Sequence, residues 1–384
     1  MRIILILTDN TMDKRQVIVI SGINLREGGP LTILRDCLRY LSTSDISKKY
    51  RVVALVHKKE LALYTNIEYI EFPDSVGSWS KRLYYEYWKF RGLSKKLRPH
   101  LWLSLHDMTP NVVADIQAVY MHNPSIVNKI KMSDWKFNKT YILFALFYKY
   151  LYRLNIKRNT YCIVQQNWFR KAVAKVLPIP ESRFIVARPN VGVNERVWKN
   201  RKKSGDNEKI FFFPAYPRPF KNFEIICEAV KLLNKRGIKG FQVILTVDVN
   251  CGKYGEWLLR QYEEISNISF VGLLNKDQMD DYYEKTDCLI FPSRLETWGL
   301  PISEFISSDR PMIIADEPYA HETAENGKKV SFFTTNNAEE LAKLMEDVIK
   351  NDLSEFKPVS KQLVDGISAD SYEELFKILL PELL

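Results

Sequence analysis

The sequence is poor in the residues that build disulfide frameworks and metal centres. Its 384 residues include only 5 cysteines, which lie far apart, mostly within apolar runs, and form no CxxC pair or His/Cys cluster with zinc spacing. We therefore expect buried free thiols in a reducing compartment and no structural zinc. Histidine is equally scarce, with 5 residues, so few positions are available for imidazole chemistry.

Long hydrophobic runs are missing too. No uninterrupted apolar stretch is long enough to span a bilayer, and the first residues, MRIILILTDN, turn polar too early for a signal peptide. The sequence therefore predicts a cytoplasmic protein that is soluble or peripheral to a membrane. Residues 1–11 precede the first clear strand, and they form either an extra edge strand or a dispensable extension. In the second case Met12, rather than Met1, is the start.

Positive charge is abundant: 56 Lys and Arg stand against 46 Asp and Glu, a formal net charge of +10. Such an excess suits a polyanionic partner, which could be nucleic acid, acidic lipid headgroups or a phosphorylated substrate. The rest of the composition, 46% hydrophobic and 27% charged, is typical of a globular protein, and the length suffices for two domains. The GxGxxG fingerprint is absent, which argues against a nicotinamide or flavin enzyme.

Short apolar runs alternate with segments of helical period along the chain. Continuous runs rich in Val and Ile indicate strands buried on both faces, as in a parallel sheet covered by helices. We therefore predict a doubly wound α/β architecture. The runs are VIVI, VVALV, LWLSL, IQAVYM, YCIV, RFIVA, IFFF, FQVILTV, ISFVG, CLIF and PMIIA.

A polar, basic segment, Lys199–Lys209, follows one set of these runs and precedes another, as a linker would. We predict an N-terminal domain at 1–197, a C-terminal domain at 198–370, and a final helix at 371–384 that packs back on the first domain. Ligands of such folds bind at the carboxyl ends of strands, so two facing domains would share a cleft.

The strongest local signal is the string FPSRLETWGLPISE, from Phe291 to Glu304. It predicts a buried strand, a loop that carries Glu296, and a helix with Pro301 in its first turn, where proline is favoured. The N–H groups of a helix N-terminus suit a phosphate, and carboxylates suit sugar and ribose hydroxyls. Taken alone, Glu296 is explained as a solvated loop residue and Glu304 as a residue that interacts with the helix dipole. The complete string favours a binding site instead.

This string resembles the E-x7-E signature of family 4 of the retaining glycosyltransferases (glycosyl transferases group 1), and the resemblance continues in register over nearly the whole chain. It implies the GT-B fold, with two Rossmann-like domains, and retention at the anomeric carbon without a metal. In the family the first glutamate contacts donor-sugar hydroxyls and the second holds the ribose; these roles fall on Glu296, a candidate catalytic residue, and Glu304. The backbone of Trp298, Gly299 and Leu300 would lie near the transferred sugar and phosphates.

A second signal, PAYPRPFKN, follows the strand IFFF and ends at Asn222, a predicted N-cap. Cations beside a helix N-terminus are unfavourable unless an anion lies between them, so Arg218 and Lys221 would suit a pyrophosphate; a basic surface turn is the alternative. The resemblance implies an arginine and a lysine that hold the donor diphosphate. Lys221 aligns with the lysine, whereas Tyr216 stands where the arginine is usual and Arg218 lies two residues further on.

The first half of the chain offers a glycine turn and two candidate histidines, His122 and His106. Gly28 and Gly29 lie between the first strand and a helix predicted from Leu31, and they match the family's glycine loop, which faces donor phosphate and acceptor. His122 ends a buried run, and the family has a histidine there near the donor sugar, which makes it a candidate catalytic residue. His106 also ends a run and is the rival candidate, although a structural role suits it better.

Two stretches of the first half combine Trp and Tyr with Lys and Arg: Ser78–Arg91, and a longer one from Lys129 to Arg153. This composition suits a bilayer interface with anionic lipids, and it could also stack bases. Ordinary helix packing would explain the apolar run from Tyr141. With the family resemblance, we interpret these stretches as a face that docks on the inner membrane and meets a lipid-linked acceptor.

The resemblance thus implies transfer of a mannose-, glucose- or galactose-type hexose from a nucleotide-sugar to a lipid-linked or oligosaccharide acceptor. Bacterial surface polysaccharides (O-antigen, capsule or exopolysaccharide) are the products expected, with no cofactor, no metal and no nucleic acid involved. A nucleotide-sugar epimerase or a phosphorylase of the same fold is the alternative. A nucleic-acid-binding protein would explain the charge but would leave the Glu296 and Glu304 string without a purpose.

Overall fold

A computed structural model describes residues 13–127, 137, 147–189 and 208–383. The predicted extension at 1–11 and most of the predicted linker lie outside these residues. The described chain divides into two compact units: residues 13–127, 147–189 and 364–383 form the first unit, and residues 208–363 lie in the second. The second unit ends at Leu363, whereas the sequence analysis placed the end of that domain at residue 370.

The first unit contains one parallel sheet of eight strands, in the order β14-β7-β6-β5-β4-β1-β2-β3. Its strands are β1 (Gln16–Gly22), β2 (Tyr50–Val56), β3 (Ile67–Glu71), β4 (Pro99–Ser104), β5 (Ile116–Met121), β6 (Tyr161–Val164), β7 (Phe184–Ala187) and β14 (Ser368–Ala369). Its helices are α1 (Gly28–Thr43), α2 (Ile46–Lys49), α3 (Trp79–Tyr84), α4 (Phe90–Leu97), α5 (Asn167–Ala174) and α12 (Tyr372–Leu379). A π-helical turn, Tyr85–Lys89, joins α3 to α4, and residues 147–153 are also helical.

The core of the first unit follows the apolar pattern of the sequence. Strand β1 is buried along all of its length after Gln16, because helices cover both faces of a central parallel strand. Helix α12 completes one face of the core by packing on α1. The Tyr372 hydroxyl donates to the carbonyl of Ile33 at 3.0 Å, and the rings of Tyr40 and Phe376 stack with centroids 5.8 Å apart.

The second unit contains a parallel sheet of six strands, in the order β10-β9-β8-β11-β12-β13. Its strands are β8 (Lys209–Phe213), β9 (Phe241–Leu245), β10 (Ile268–Phe270), β11 (Cys288–Phe291), β12 (Met312–Ala315) and β13 (Val330–Phe333). Its helices are α6 (Phe223–Lys235), α7 (Gly252–Tyr262), α8 (Lys276–Lys285), α9 (Leu300–Ile306), α10 (Pro318–Thr323) and α11 (Ala338–Ile349). The doubly wound α/β prediction is confirmed in both units.

All eleven apolar runs of the sequence are strands, and three strands were missed: β3, β13 and β14. Each of the three is the outermost strand of its sheet. An edge strand has a neighbour on one side only, so it needs fewer apolar residues than a central strand. Strand β3, with the sequence IEYIE, has one fully buried residue, Ile70.

Two smaller predictions are also settled. All five cysteines are free and buried, as expected from their apolar surroundings. Among the described residues, no helix is both long and apolar enough to cross a membrane.

Candidate functional site

The string from Phe291 to Glu304 folds as strand β11, a loop and helix α9, in the predicted order. Gly299 makes the turn into the helix with φ of +90°, a conformation that residues with a side chain rarely adopt. A Cβ at this position would also lie 3.3 Å from the end of the Ile302 side chain, which would have to shift slightly, so the positive φ is the main reason for glycine here. The Trp298 carbonyl beside it accepts a hydrogen bond from Thr323, which fixes the loop on α10.

The loop places Glu296 against Lys221, from the turn between β8 and α6. The Lys221 ammonium and the Glu296 carboxylate form an ion pair between residues 75 positions apart in the chain. Both side chains are mostly but not completely buried, at 18% and 14% exposure. The structure therefore brings together two predicted residues from separate signals, at the carboxyl ends of the neighbouring strands β8 and β11.

Arg294 connects the same two loops, and the sequence analysis did not identify it. Its guanidinium donates to the carbonyl of Pro219 at 2.5 Å and to the side-chain oxygen of Asn222 at 3.2 Å. Asn222 does precede α6, but its side chain makes no capping hydrogen bond with the helix. It donates instead to the carbonyls of Pro292 and Thr335, at 3.3 and 2.9 Å, and so holds the loops after three strands together.

Glu304 lies in helix α9, and its Oε2 accepts a hydrogen bond from the Tyr283 hydroxyl at 2.8 Å. Tyr283 is a fully buried residue of α8 that the sequence analysis also missed. Arg218 is exposed and lies over the ring of Tyr216, with Cζ 5.3 Å from the ring centroid. Tyr216 stands where the family usually has an arginine, and it thus contacts Arg218, the residue proposed to take the role of that arginine.

In the first unit, Gly28 and Gly29 are the first two residues of α1. The helix therefore begins three residues before Leu31, the predicted start, and Gly28 enters it with a positive φ of 66°. Glu27 precedes the helix and makes no side-chain capping bond. The backbone N–H groups of both glycines consequently belong to the first turn, where N–H groups lack partners within the helix.

His122 follows strand β5 and is held on two sides. Its Nε2 lies 2.9 Å from the Leu105 carbonyl, and its ring stacks on Tyr120 with centroids 4.6 Å apart. A carbonyl only accepts hydrogen bonds, so Nε2 carries the proton and Nδ1 keeps a lone pair. Burial lowers the pKa of His122, opposed by the Asp107 carboxylate, and the imidazole is therefore neutral at pH 7.

His106 belongs to a buried cluster beside the ends of β1 and β4. Its Nε2 lies 3.1 Å from Ser21 Oγ and 3.2 Å from Glu86 Oε1, and both His106 and Glu86 are almost completely inaccessible. Burial raises the pKa of Glu86 to about 8 against the opposing charge of Arg82. Burial, with the Arg82 charge, holds the pKa of His106 well below its usual range. At pH 7 both groups are therefore neutral, which suits the structural role expected of His106.

The predicted site residues thus form two groups, one in each unit. Glu296, Lys221, Arg218 and Glu304 surround the carboxyl ends of β8 and β11, together with the turn Trp298–Leu300. Gly28, Gly29 and His122 follow the carboxyl ends of β1 and β5. A cleft shared by the two groups stays a prediction.

Comparison with known proteins shows a family match for part of this chain. Residues 194–362 match the family Glycosyl transferases group 1. A curated relative, the O-antigen chain mannosyltransferase RfbU of Salmonella typhimurium, is 21% identical over 187 residues. That alignment covers 47% of this chain and 49% of the relative, so the matched chain spans about half of RfbU.

Solved structures extend the similarity over nearly the whole chain. The lipopolysaccharide outer core galactosyltransferase WaaB has a TM-score of 0.63 at 12% identity, covering 96% of this chain and 100% of its own. WaaG, a glycosyltransferase of lipopolysaccharide biosynthesis, has a TM-score of 0.62 at 14% identity, covering 94% and 99%. Anabaena Alr3699/HepE, solved with UDP-glucose, has a TM-score of 0.61 at 14% identity, covering 89% and 92%.

The two parallel-sheet units have the GT-B fold of these solved glycosyltransferases. Residues 194–362, which include the E-x7-E string, match the group 1 glycosyltransferases. The resemblance to family 4 in particular stays a prediction.

Proposed function

We propose that this protein transfers a hexose from a nucleotide-sugar to a glycan acceptor, with retention of anomeric configuration. The observation that carries the proposal is the Lys221–Glu296 ion pair at the ends of β8 and β11. A cation and a carboxylate held side by side suit a ligand that has a phosphate next to a ring of hydroxyls. A nucleotide-sugar has that sequence of groups.

The second unit supplies groups for each part of such a donor. Lys221 and Arg218 would hold the diphosphate, and Glu296 would accept hydrogen bonds from the sugar hydroxyls. Glu304 would accept from the ribose hydroxyls, in an orientation fixed by Tyr283. The backbone from Trp298 to Leu300 would lie along the sugar and the phosphates.

The chemistry then requires stabilisation of the leaving group more than a nucleophile on the protein. When the nucleoside diphosphate leaves, negative charge grows on the phosphate while the sugar becomes oxocarbenium-like. Cations fixed at the diphosphate lower the energy of that state, and the phosphate itself can receive the proton of the acceptor hydroxyl. The neutral imidazole of His122 offers Nδ1 as a hydrogen-bond acceptor for a substrate hydroxyl, and no metal or cofactor is needed.

The names of the relatives guide the choice of substrates. RfbU is an O-antigen chain mannosyltransferase, WaaB is a lipopolysaccharide galactosyltransferase, and HepE was solved with UDP-glucose. We therefore propose a mannose-, galactose- or glucose-type donor and a lipid-linked glycan of bacterial surface polysaccharide as acceptor. Such acceptors are assembled at the cytoplasmic face of the inner membrane, where the protein would work.

A thermal-shift panel of UDP-, GDP-, dTDP- and ADP-sugars tests the donor site. One nucleotide class should raise the melting temperature of the wild type, because a ligand that binds only the folded state stabilises it. Lys221→Ala and Glu304→Ala should abolish that shift. Lys231→Ala and Glu263→Ala, at exposed positions of the same unit, should retain it. The absence of a shift with every class at millimolar concentration would refute the donor site.

The helical segment 79–97 of the first unit carries the membrane part of the proposal. Trp79, Tyr84 and Trp88 are 47%, 55% and 67% exposed, which is unusual for large aromatic side chains in water. Lys81 lies between Trp79 and Tyr84, and Lys89 follows Trp88. Exposed aromatic rings beside cations suit the headgroup region of an anionic bilayer.

Vesicle flotation tests this face directly. The wild type should float with phosphatidylcholine vesicles that contain phosphatidylglycerol and should remain in solution with phosphatidylcholine alone. Trp88→Ala should weaken the binding several-fold. Leu363→Ala provides a control, because Leu363 is an apolar residue of the second unit with 90% exposure. Equal losses in both variants would contradict a docking face at 79–97.

A further inference from the structure

Asp107 lies between His106 and His122 in the sequence and has a left-handed backbone conformation. It follows His106 directly and adopts φ of +66°, in the left-handed region, which few residues other than glycine adopt and which aspartate tolerates better than most. Its N–H donates to the Tyr120 carbonyl at 3.0 Å, which attaches the turn after β4 to the last residues of β5. Strain of this kind persists only where surrounding contacts impose the conformation.

The Asp107 carboxylate is the centre of those contacts. Its Oδ1 accepts from the backbone N–H groups of His122 and Asn123, at 2.6 and 3.1 Å. The Tyr152 hydroxyl lies 2.7 Å from Oδ1, and the Tyr148 hydroxyl lies 3.3 Å from Oδ2. Four donors therefore converge on one side chain, and two of them belong to the turn that starts at His122.

The two tyrosines come from the helical residues 147–153, one turn apart on the same face. Tyr148 and Tyr152 are 3% and 1% exposed, so their hydroxyl groups are inside the unit and need polar partners. The Tyr152 hydroxyl also lies 2.9 Å from the Asn123 carbonyl. Asp107, Asn123 and the two tyrosines thus form one hydrogen-bonded assembly under the His122 turn.

We propose that Asp107, supported by Tyr152 and Tyr148, is a positioning residue that sets the orientation of the His122 imidazole for sugar transfer. The carboxylate fixes the backbone of His122, and the Leu105 carbonyl, two residues before Asp107, fixes Nε2 of the ring. Backbone and ring are consequently both attached to the turn after β4. The direction of the Nδ1 lone pair depends on Asp107 through these bonds. This inference rests on the proposed function, in which His122 faces a substrate hydroxyl.

A carboxylate is better suited to this position than its amide. Asparagine has one acceptor oxygen and one NH2 group, and the NH2 group would face a tyrosine hydroxyl or a backbone N–H. Asp107→Asn keeps the size of the side chain and the tendency to adopt the left-handed conformation. It therefore tests the hydrogen bonds with little change to the fold, and Tyr152→Phe tests the support without altering Asp107 at all.

Kinetics of the full chain distinguish positioning from stability. In Asp107→Asn and Tyr152→Phe we expect kcat to fall about tenfold, because small misplacements of a reacting group are costly. The dissociation constants of UDP and GDP should change less than about twofold, since the nucleotide site lies in the other unit. Combining Asp107→Asn with His122→Ala should cost no more than His122→Ala alone. Independent, multiplicative losses, or losses of nucleotide affinity, would overturn the proposal.

Matched controls exist for both substitutions. Asp309→Asn changes another left-handed aspartate, located in the second unit, whose carboxylate pairs with Lys328 on the surface. Tyr150→Phe changes an exposed tyrosine on the same helical residues as Tyr152. Both controls should retain kcat. If they lose as much as the test variants, the assembly under His122 has no special role.

NMR of the imidazole nitrogens provides a measurement that does not need the reaction. With only 5 histidines in the chain, His122→Asn assigns the signal. The wild type should show a neutral ring with the proton on Nε2, and Asp107→Asn should lose this signature or broaden it by exchange. An unchanged His122 spectrum in Asp107→Asn would overturn the inference. If the wild type transfers no sugar from any donor, the proposed function fails while the NMR result still decides the positioning.

Discussion

The two units place ionisable side chains near the ends of their strands in opposite ways. In the first unit Glu86 and His106 are sealed in the interior and are both neutral at pH 7, because burial disfavours the charged form of each. In the second unit Lys221 and Glu296 form an ion pair, and each side chain is partly open to solvent. A ligand can approach this pair, whereas the buried pair provides a rigid support.

The largest expected effect comes from removing one charge of the open pair. Glu296→Gln would leave Lys221 without its partner and would deprive the sugar of a charged acceptor. Transfer activity, measured as kcat/KM, should fall by about 10²- to 10³-fold, roughly 3–4 kcal/mol. Glu263→Gln, at an exposed position of the same unit, should retain wild-type activity. If Glu296→Gln retains activity, the Lys221–Glu296 pair does not bind the donor. The contrast with the buried pair of Glu86 and His106 would then fail.

The buried pair should affect stability instead, with a definite dependence on pH. The pKa of Glu86 in the folded chain, about 8, exceeds its ordinary value of 4.5. Between these values the folded chain holds a proton that the unfolded chain has released, so the free energy of unfolding falls as pH rises. The Glu86 contribution to this fall should amount to roughly 4 kcal/mol between pH 5 and pH 9, and Glu86→Gln should remove it.

Denaturant unfolding of wild type and Glu86→Gln at a series of pH values measures this slope. Glu60→Gln provides the control, because Glu60 is an exposed glutamate of the same unit. The difference in unfolding free energy between wild type and Glu86→Gln isolates the Glu86 contribution from that of the buried histidines. A difference that grows in favour of the wild type as pH rises would show that Glu86 is charged in the folded chain, and the contrast between the two units would then fail.

A smaller effect is expected from Tyr283, a buried residue whose hydroxyl donates a hydrogen bond to the partly exposed Glu304. Tyr283→Phe removes the hydroxyl that donates to Glu304. Loss of one hydrogen bond to a charged group should weaken nucleotide binding by about 1 kcal/mol, or about fivefold. Tyr282→Phe, the adjacent position in α8, should leave affinity unchanged. Calorimetric titration with the nucleotide measures the affinity of both variants and of the wild type. If Tyr283→Phe binds as tightly as the wild type, Glu304 is oriented without Tyr283.

The smallest effect concerns His100, an ionisable residue of the first unit that is only partly buried. His100 lies 2.9 Å from Asp115 and 2.6 Å from Glu382, which belongs to the final turn of the chain. Burial lowers the pKa of His100, but the hydrogen bonds to Asp115 and Glu382 outweigh it, and the net pKa is raised above 6.5. The resulting stabilisation is complete below pH 6.5 and is lost as pH rises through the raised pKa.

Comparing the unfolding free energies of wild type and His100→Gln near pH 6 and above pH 8 measures this contribution. We expect a difference below about 1 kcal/mol at pH 6, because both carboxylates are substantially exposed, and no difference at the higher pH. A difference that grows with pH would mean that His100 stabilises the fold in its neutral form, like the sealed His106.

The sequence was a good guide wherever one local pattern carried the information. Central strands were predicted because a strand covered on both faces must be apolar throughout. Strands β3, β13 and β14 were missed because they lie at the edges of their sheets, where fewer residues need to be apolar. Gly299 and the helix after it were predicted because a short string combines the glycine with Pro301. Arg294 and Tyr283 were missed because their partners, Asn222 and Glu304, are distant in sequence and nothing in the pattern marks them.

By itself, the sequence determined the class of fold, the location of the E-x7-E loop and the free, buried state of the cysteines. These properties depend on periodicity, on turn residues and on composition, which are all local. Only the tertiary structure decided that Lys221 pairs with Glu296, that Glu86 is a neutral acid and that Asp107 holds the His122 turn. Each of these depends on which groups the fold places together and on how far it excludes water from them, because desolvation and hydrogen bonding set the charge and direction of a side chain.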